Sequence, residues 1–244
     1  MNAWPDFIFP GQKGFRGTVL DDYLSFGYYR MQHLLFTTHH TQLGLQQKAQ
    51  TFFWLRIPVK NILENTTAKT IRKKCAAFTV VFNKARINNG INDLYNSYIK
   101  NIDFEAAESC RTYLHDPNIE NPFHAKMLQI KDGNTLIAAG YFDVGKTSLA
   151  GILNFYNPAY KKYSLGKYLM LKKLDYARNN KMEFYYTGYI STATNNFDYK
   201  LFPDKKAIEV FLPLEKIWVP FHQMGKQKLA EYFDKNIKST STIK

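Results

Sequence analysis

Apolar positions along this chain recur with two different periods. Over residues 20–26 they fall at helical spacing behind Asp21 and Asp22, whose negative charge suits a helix N-terminus, and Gly27 closes the run. Strand patterning follows over 28–37 and again over 51–59, the second stopping near Pro58. Thr66 stands where it would cap a basic helix carrying Lys69, Arg72, Lys73 and Lys74. Residues 78–84 read as a strand, and 91–102 and 104–114 read as helices by their apolar spacing.

The second half is more sharply punctuated. Residues 127–130 and 135–142 read as strands joined around Asp132-Gly133, a strong hairpin dipeptide. A third strand over 149–156 is entered through a turn near Gly145 and broken by Asn157-Pro158. Ser164 then opens a helix that runs to about Arg178. On that helix Leu165, Leu169, Leu171, Leu174 and Ala177 can face a core, which assigns Lys167, Lys172, Lys173 and Arg178 to the outer surface. A strand over 183–190, another over 207–212 and a closing helix over 226–236 complete the pattern, and the class is α+β. Antiparallel strands, one long helix and a further strand, in that order, resemble the heart of the GNAT acyltransferase fold. The expectation is therefore a GNAT-like fold in the C-terminal half with an N-terminal α/β extension packed against it. Residues 117–122 are the expected boundary, giving units of 1–116 and 117–244.

Composition narrows the function classes. No stretch approaches the ~18 uninterrupted apolar residues a membrane helix requires. Two widely separated cysteines, Cys75 and Cys110, exclude a disulfide framework and an all-cysteine metal site, and they fit a reducing, cytoplasmic setting. The charge changes the picture more. Thirty-three Lys and Arg against 20 Asp and Glu give +13, which favours a polyanionic partner. Seventeen tyrosines interleaved with lysines suit single-stranded nucleic acid, where bases stack and phosphates pair with cations.

The chemistry concentrates between Tyr160 and Lys200. Seven basic residues and one acid lie between Tyr160 and Lys181. At the helix start, Ser164-Leu165-Gly166 leaves backbone N–H groups free to bind an anion, with Lys167 beside them. Tyr163-Ser164-Leu165-Gly166 with Leu169 and Ala177 resembles the Y-S-L-G helix of the arginyl- and leucyl-tRNA–protein transferases. Phe184-Tyr185-Tyr186-Thr187-Gly188-Tyr189-Ile190 is similar to their tyrosine-rich strand, and Asp198-Tyr199-Lys200 stands at the position of their M-x-Y-K segment. Near the N-terminus, Asp22-Tyr23-Leu24, Gly27-Tyr28-Tyr29-Arg30-Met31 and Arg56-Ile57-Pro58-Val59 resemble further family motifs.

The resemblance implies an aminoacyltransferase of GNAT-like fold. Such an enzyme moves arginine or leucine from charged tRNA to the N-terminal amine of an acceptor protein, as in N-degron tagging. Its partners would be charged tRNA and acceptor N-termini, without a membrane, and the chain would act as a monomer. No cofactor is implied beyond the aminoacyl-tRNA co-substrate. The sequence departs from the family at a cysteine cluster, replaced here by Phe36-Thr37-Thr38-His39-His40-Thr41, and at a cysteine after the tyrosine strand, replaced within 191–194. No metal site is expected.

Within that reaction Asp198 is the candidate to relay the amine's proton or hold the incoming ammonium. Tyr186, Tyr189 and Tyr199 would stack the unpaired 3′ end or orient hydroxyls, with Tyr186 and Tyr199 placed at the reacting centre. Lys200 and Lys167 are candidates for phosphate or carboxylate contacts. Arg30, beside Tyr29, would meet an acidic N-terminal residue on the acceptor. Ser164, Leu165, Gly166 and Gly188 complete the expected binding set, strand backbone over 153–156 would hold the oxyanion, and 69–74 would touch the tRNA body. Two other readings share the fold. One is an acetyl-CoA-dependent GNAT enzyme, whose Q/R-x-x-G-x-G/A loop is lacking in 160–166; the other is a non-catalytic tRNA- or protein-binding descendant.

Overall fold

A computed structural model describes residues 6–37, 40–41, 50–102, 106–114 and 120–233. The N-terminal part contributes β1 (Asp6–Ile8), α1 (Thr18–Ser25), β2 (Tyr29–Met31) and β3 (Leu34–Thr37). It continues through β4 (His40–Thr41), β5 (Gln50–Pro58), α2 (Thr66–Lys74), β6 (Thr79–Lys84), α3 (Asn89–Ile99) and α4 (Arg111–Leu114). The remainder supplies β7 (Ala125–Asp132), β8 (Thr135–Val144), β9 (Ser148–Tyr156), α5 (Leu165–Asn179), β10 (Phe184–Ser191), β11 (Glu209–Leu212), β12 (Ile217–Pro220) and α6 (Phe221–Ala230).

Most strands belong to one mixed sheet ordered β12-β11-β5-β10-β9-β8-β7-β6, with β4 on β5; β1, β3 and β2 form a separate small sheet. Strands from both sides of residues 117–122 pair within the large sheet: β5 lies antiparallel to β10, and β6 lies antiparallel to β7. The run Phe52, Phe53, Trp54, Leu55 and Ile57 is buried throughout. A strand covered on both faces shows no clean alternation. Phe53, Leu55 and Ile57 join the core beneath α5, whereas Trp54 joins a second cluster with Leu20, Leu24, Tyr29 and Tyr186 beneath α1. A third cluster packs α3 against β8 and β9 through Tyr95, Tyr141 and Phe155.

Several local expectations shift. The strand expected over 28–37 is a hairpin, β2 and β3, whose turn holds Gln32 at φ 53°. Of the helix expected over 104–114 only Arg111–Leu114 is helical; residues 103–105 lie outside the described residues. Tyr95 donates to the Ala107 carbonyl at 2.7 Å and Tyr113 accepts from the Ala107 N–H at 3.0 Å, so tyrosine hydroxyls take the backbone groups a helix would use. Asn65, not Thr66, caps α2, accepting from the Ala68 N–H at 2.9 Å. The closing helix begins at Phe221, kinked at Gly225, and β12 adds a strand that the pattern did not foretell. Among the described residues no helix is long and apolar enough to cross a membrane.

One carboxylate fastens the N-terminal segment to the large sheet. Asp21 of α1 accepts from the N–H groups of Lys146 and Thr147 at 2.9 and 3.0 Å and from the Ser148 hydroxyl. Gly145 leaves the space this needs, because a Cβ there would stand 1.9 Å from Asp21 Oδ1. Hydrogen bonds to a charged group contribute more than neutral ones. Asp21→Ala is therefore expected to cost about 2–3 kcal/mol, seen as a lower urea midpoint with an unchanged slope.

Candidate active site

The site begins where two parallel strands part. β9 and β10 pair at Phe184↔Ser148, Tyr185↔Leu149 and Tyr186↔Ala150, and the ladder ends there. Between Tyr186 and Gly188 the register of β10 against β5 slips, with Gly188 at φ 110°, a conformation that side chains rarely tolerate. Beyond that bulge β10 follows β5, while β9 stays with β8. The gap opens into a cavity of about 300 Å³. Gly151 to Asn154 form one wall and Thr187 to Tyr189 with Tyr199 and Lys200 form another; Tyr29 to Gln32, Tyr98, Met170 and Lys173 close the rest. Among the described residues, no strand pairs with β9 on the gap side beyond Ala150.

Beneath this cavity lies a buried set of charges. Asp143 of β8 is wholly buried and accepts from Arg30 Nη1 at 2.8 Å. Its Oδ2 has no hydrogen-bond partner among the described residues, and burial pushes the carboxyl up against the opposing pull of Arg30. Lys173 is also fully buried, donating to the Tyr141 carbonyl at 2.7 Å and to Asn154 Oδ1 at 2.9 Å. Desolvation lowers its amine to about 7, opposed by the charge of Asp143. Protonated Lys173 only donates, so in that form this contact fixes the flip of Asn154 and turns its NH₂ away from Nζ. Gly140 makes room: a Cβ there would meet Asn154 Oδ1 at 2.7 Å and Lys173 Cε at 3.2 Å.

Lys200 enters from the opposite wall. Its Nζ stands 3.8 Å from the Tyr189 ring centroid and 5.0 Å from that of Phe197. A Cβ on Gly188 would reach within 3.0 Å of it. Among the described residues no carboxylate pairs with it, and desolvation brings its amine down to about 7. An ammonium held by ring faces alone is ready for an anionic ligand.

Of the residues singled out from sequence, the fold brings Tyr29, Arg30, Gly188, Tyr189, Tyr199 and Lys200 to this cavity. Tyr29 is stacked on Trp54 with centroids 4.1 Å apart and donates to the Leu55 carbonyl. Arg30 is turned inward: beyond Asp143 it donates to the carbonyls of Gln32 and Leu114, and it lies 4.4 Å over the Phe123 ring. The acceptor carboxylate expected to meet Arg30 is thus replaced by an internal one. Tyr186 is buried in the cluster beneath α1, against Tyr29 and Trp218, away from the cavity lining. Asp198 is paired with Lys226 at 2.6 Å outside the lining. Ser164 does not cap α5; it adopts φ 55°, ψ 45° and its side chain makes no capping bond. Leu165 is core, a Cβ on Gly166 would stand 3.7 Å from Tyr156, and Lys167 lies 5.4 Å from the Phe202 ring; none of Ser164 to Lys167 lines the cavity.

Asp143 and the side chains of Asn154 and Lys173 join the site beyond the residues expected from sequence, which placed only the backbone of 153–156 there. Lys173, expected on the outer surface, is buried, and a signal for this existed: it lies four residues after Leu169 and four before Ala177, within the apolar stripe. In the basic segment 69–74, Arg72 is drawn into an ion-pair network with Glu64 and Asp175. His39 lies outside the described residues; among those described no group of His, Cys, Asp and Glu is arranged to hold a metal.

Comparison with known proteins bears on residues 91–205, which match the family model described as arginine-tRNA-protein transferase, C terminus. An aspartate/glutamate leucyltransferase from Pseudomonas fluorescens (strain SBW25) is 26% identical over 147 residues, 59% of this chain and 63% of its own. Arginyl-tRNA–protein transferase 2 from Arabidopsis thaliana is 32% identical over 98 residues, 38% of this chain and 16% of its own. The chain thus spans less than two thirds of either relative. Among solved structures, L-PGS from Bacillus licheniformis aligns over 71% of this chain and 50% of its own with a TM-score of 0.43 and 10% identity, too slight a likeness to bear on function.

Two outcomes follow from the buried charges. Arg30→Ala leaves Asp143 buried without its partner and is expected to cost about 3–5 kcal/mol in equilibrium unfolding. For Lys173, the unfolded amine holds its proton to about pH 10.4 while the folded one releases it near 7. The unfolded state therefore binds more protons between those values, and stability rises with pH across that window. Wild type should gain on Lys173→Met as pH goes from 7 to 10; a pH-independent difference would contradict a desolvated amine.

Proposed function

Because the chain belongs to the arginyl- and leucyl-tRNA–protein transferase family, we propose that it moves an aminoacyl group from charged tRNA to the N-terminal amine of an acceptor protein. The donor residue in this reading is arginine or leucine, and the product is a tagged N-terminus of the N-degron kind. The observation that carries it is the cavity between β9 and β10, where a fixed amide donor, unpaired strand backbone and an uncompensated lysine converge. Parallel strands that part beside a long helix are also the basis for assigning the C-terminal half a GNAT-like fold.

The reaction asks little of a base. A free α-amine has a pKa of roughly 7.7–8.0, so a useful fraction is neutral near pH 7, and the aminoacyl ester is already activated. The amine nitrogen bonds to the ester carbonyl carbon, the carbonyl oxygen becomes an oxyanion, and collapse breaks the bond to the ribose oxygen. The proton lost from nitrogen ends on that oxygen. Positioning and oxyanion stabilisation then set the rate. The NH₂ of Asn154, aimed by Lys173, and the gap-facing N–H groups of β9 are assigned to the oxyanion; the strand backbone expected for this role, 153–156, includes Asn154 itself. Lys173 acts as a positioning residue. Lys200 is assigned to an anionic group of a substrate, and Tyr189 and Tyr199 to the terminal base or its sugar.

The test is transfer of labelled arginine or leucine from charged tRNA to peptides with varied N-terminal residues. Asn154→Ala should lower kcat by about 100-fold, the cost of losing one oxyanion donor, with little change in KM, whereas Lys200→Gln should act chiefly on KM. Absence of transfer from either charged tRNA would overturn the reading.

A further inference from the structure

A second, larger cavity of about 740 Å³ lies at the β6–β7 end of the sheet. Its walls include Arg16, Lys84, Arg86, Arg111, His124 and Lys126, with Glu120 as the acid among them. Several arginines elsewhere in the fold are matched: Arg72 by Glu64 and Asp175, Arg178 by Glu64, and Arg56 by Glu209. Of the cations lining the groove, Arg30 is matched by the buried Asp143 and Arg16 by an exposed contact to Glu120 at 3.2 Å. Lys84, Arg86, Arg111 and Lys126 have no ion-pair partner among the described residues.

The arrangement opposes the fold's own stability. Lys84 and Lys126 are direct register partners across β6 and β7, and like charges placed opposite each other on neighbouring strands repel. His124 feels the same field: burial first, then Lys126 and Arg16, hold its imidazole below the usual histidine range, so it adds no further charge near neutrality. Such a cluster is relieved by an anionic ligand with charges distributed along it. The groove adjoins the reaction cavity, because Arg30 lines both.

We propose that this groove binds the phosphate backbone of RNA, seating the acceptor arm of the charged tRNA so that its 3′ end reaches the cavity between β9 and β10. The proposal rests on the transferase reading for the identity of the RNA. RNA fits better than an acidic polypeptide on two counts. Guanidinium and ammonium groups spread over β6, β7, α4 and the segment before α1 match a chain with one charge per nucleotide. The groove is also larger than the cavity that would receive a protein N-terminus.

The experiment measures equilibrium binding of uncharged bulk tRNA to the full chain across a salt series, for wild type, Lys84→Gln/Lys126→Gln and Arg86→Gln/Arg111→Gln. Each double variant should bind at least tenfold more weakly at low salt. Each should also flatten the slope of log affinity against log salt by roughly 1–2, as expected for two lost phosphate contacts. The melting temperature of Lys84→Gln/Lys126→Gln should not fall, since the exchange removes a repulsion; this separates lost binding from lost fold. Unchanged affinity and slope in both variants would overturn the proposal. So would intact tRNA binding with a raised KM for the acceptor peptide alone, which would assign the groove to an acidic protein. If wild type transfers no amino acid yet binds tRNA through these residues, the groove stands and the transferase reading falls.

Discussion

Asp143 is the charge around which the site is assembled. It lies on β8 with no solvent contact, and a carboxylate so placed is tolerated only with a close cation. Arg30 supplies it from β2, and in doing so draws the N-terminal segment over the large sheet. Lys173 brings an amine from α5 that reaches Tyr141 on β8 and Asn154 on β9. One buried carboxylate thereby couples β2, β8, β9 and α5. Breaking such a pair costs more than forming it gains, because the partner left behind remains desolvated. The network therefore specifies geometry more than it adds stability, and the geometry it specifies is the floor of the cavity.

The cavity itself comes from a conflict between neighbours. β10 cannot follow both β5 and β9 past the slip at Tyr186 and Gly188, and it follows β5. What remains is a wedge whose β9 side exposes backbone donors and whose β10 side presents Tyr189, with Lys200 packed on its ring. Gly188 serves both purposes, since its φ of 110° permits the bulge and its missing Cβ leaves space for the Lys200 amine. A wedge of this kind offers donors to a carbonyl without requiring the protein to reorganise during reaction.

Much of the architecture was legible because it is local. Gly133 in Asp132-Gly133 takes φ 55° in the turn between β7 and β8, as the dipeptide foretells, and α5 and β10 fall close to where periodicity put them. The motif residues Tyr29, Gly188, Tyr189, Tyr199 and Lys200 converge on one cavity. What was not legible depends on partners distant in the chain. Asp198 meets Lys226, Arg30 meets Asp143 and Lys173 meets Asn154, and none of these pairings has a sequence signature. Ser164 misled for a different reason: its backbone takes the left-handed region between a 3₁₀ turn and α5, so its hydroxyl is not placed to cap. The charge of Lys173 points to the surface, whereas its helical position, four residues from both Leu169 and Ala177, places it in the buried stripe.

The central claim is that the aminoacyl carbonyl sits in the wedge between β9 and β10. A crystal structure with an amide-linked, non-hydrolysable aminoacyl-adenosine bound tests it most directly. The account predicts the carbonyl oxygen within hydrogen-bond distance of Asn154 Nδ2 or of a β9 backbone N–H, with the adenosine near Tyr189 and Tyr199. An analogue seated instead on the start of α5 at Ser164–Gly166, with the wedge empty, would contradict it.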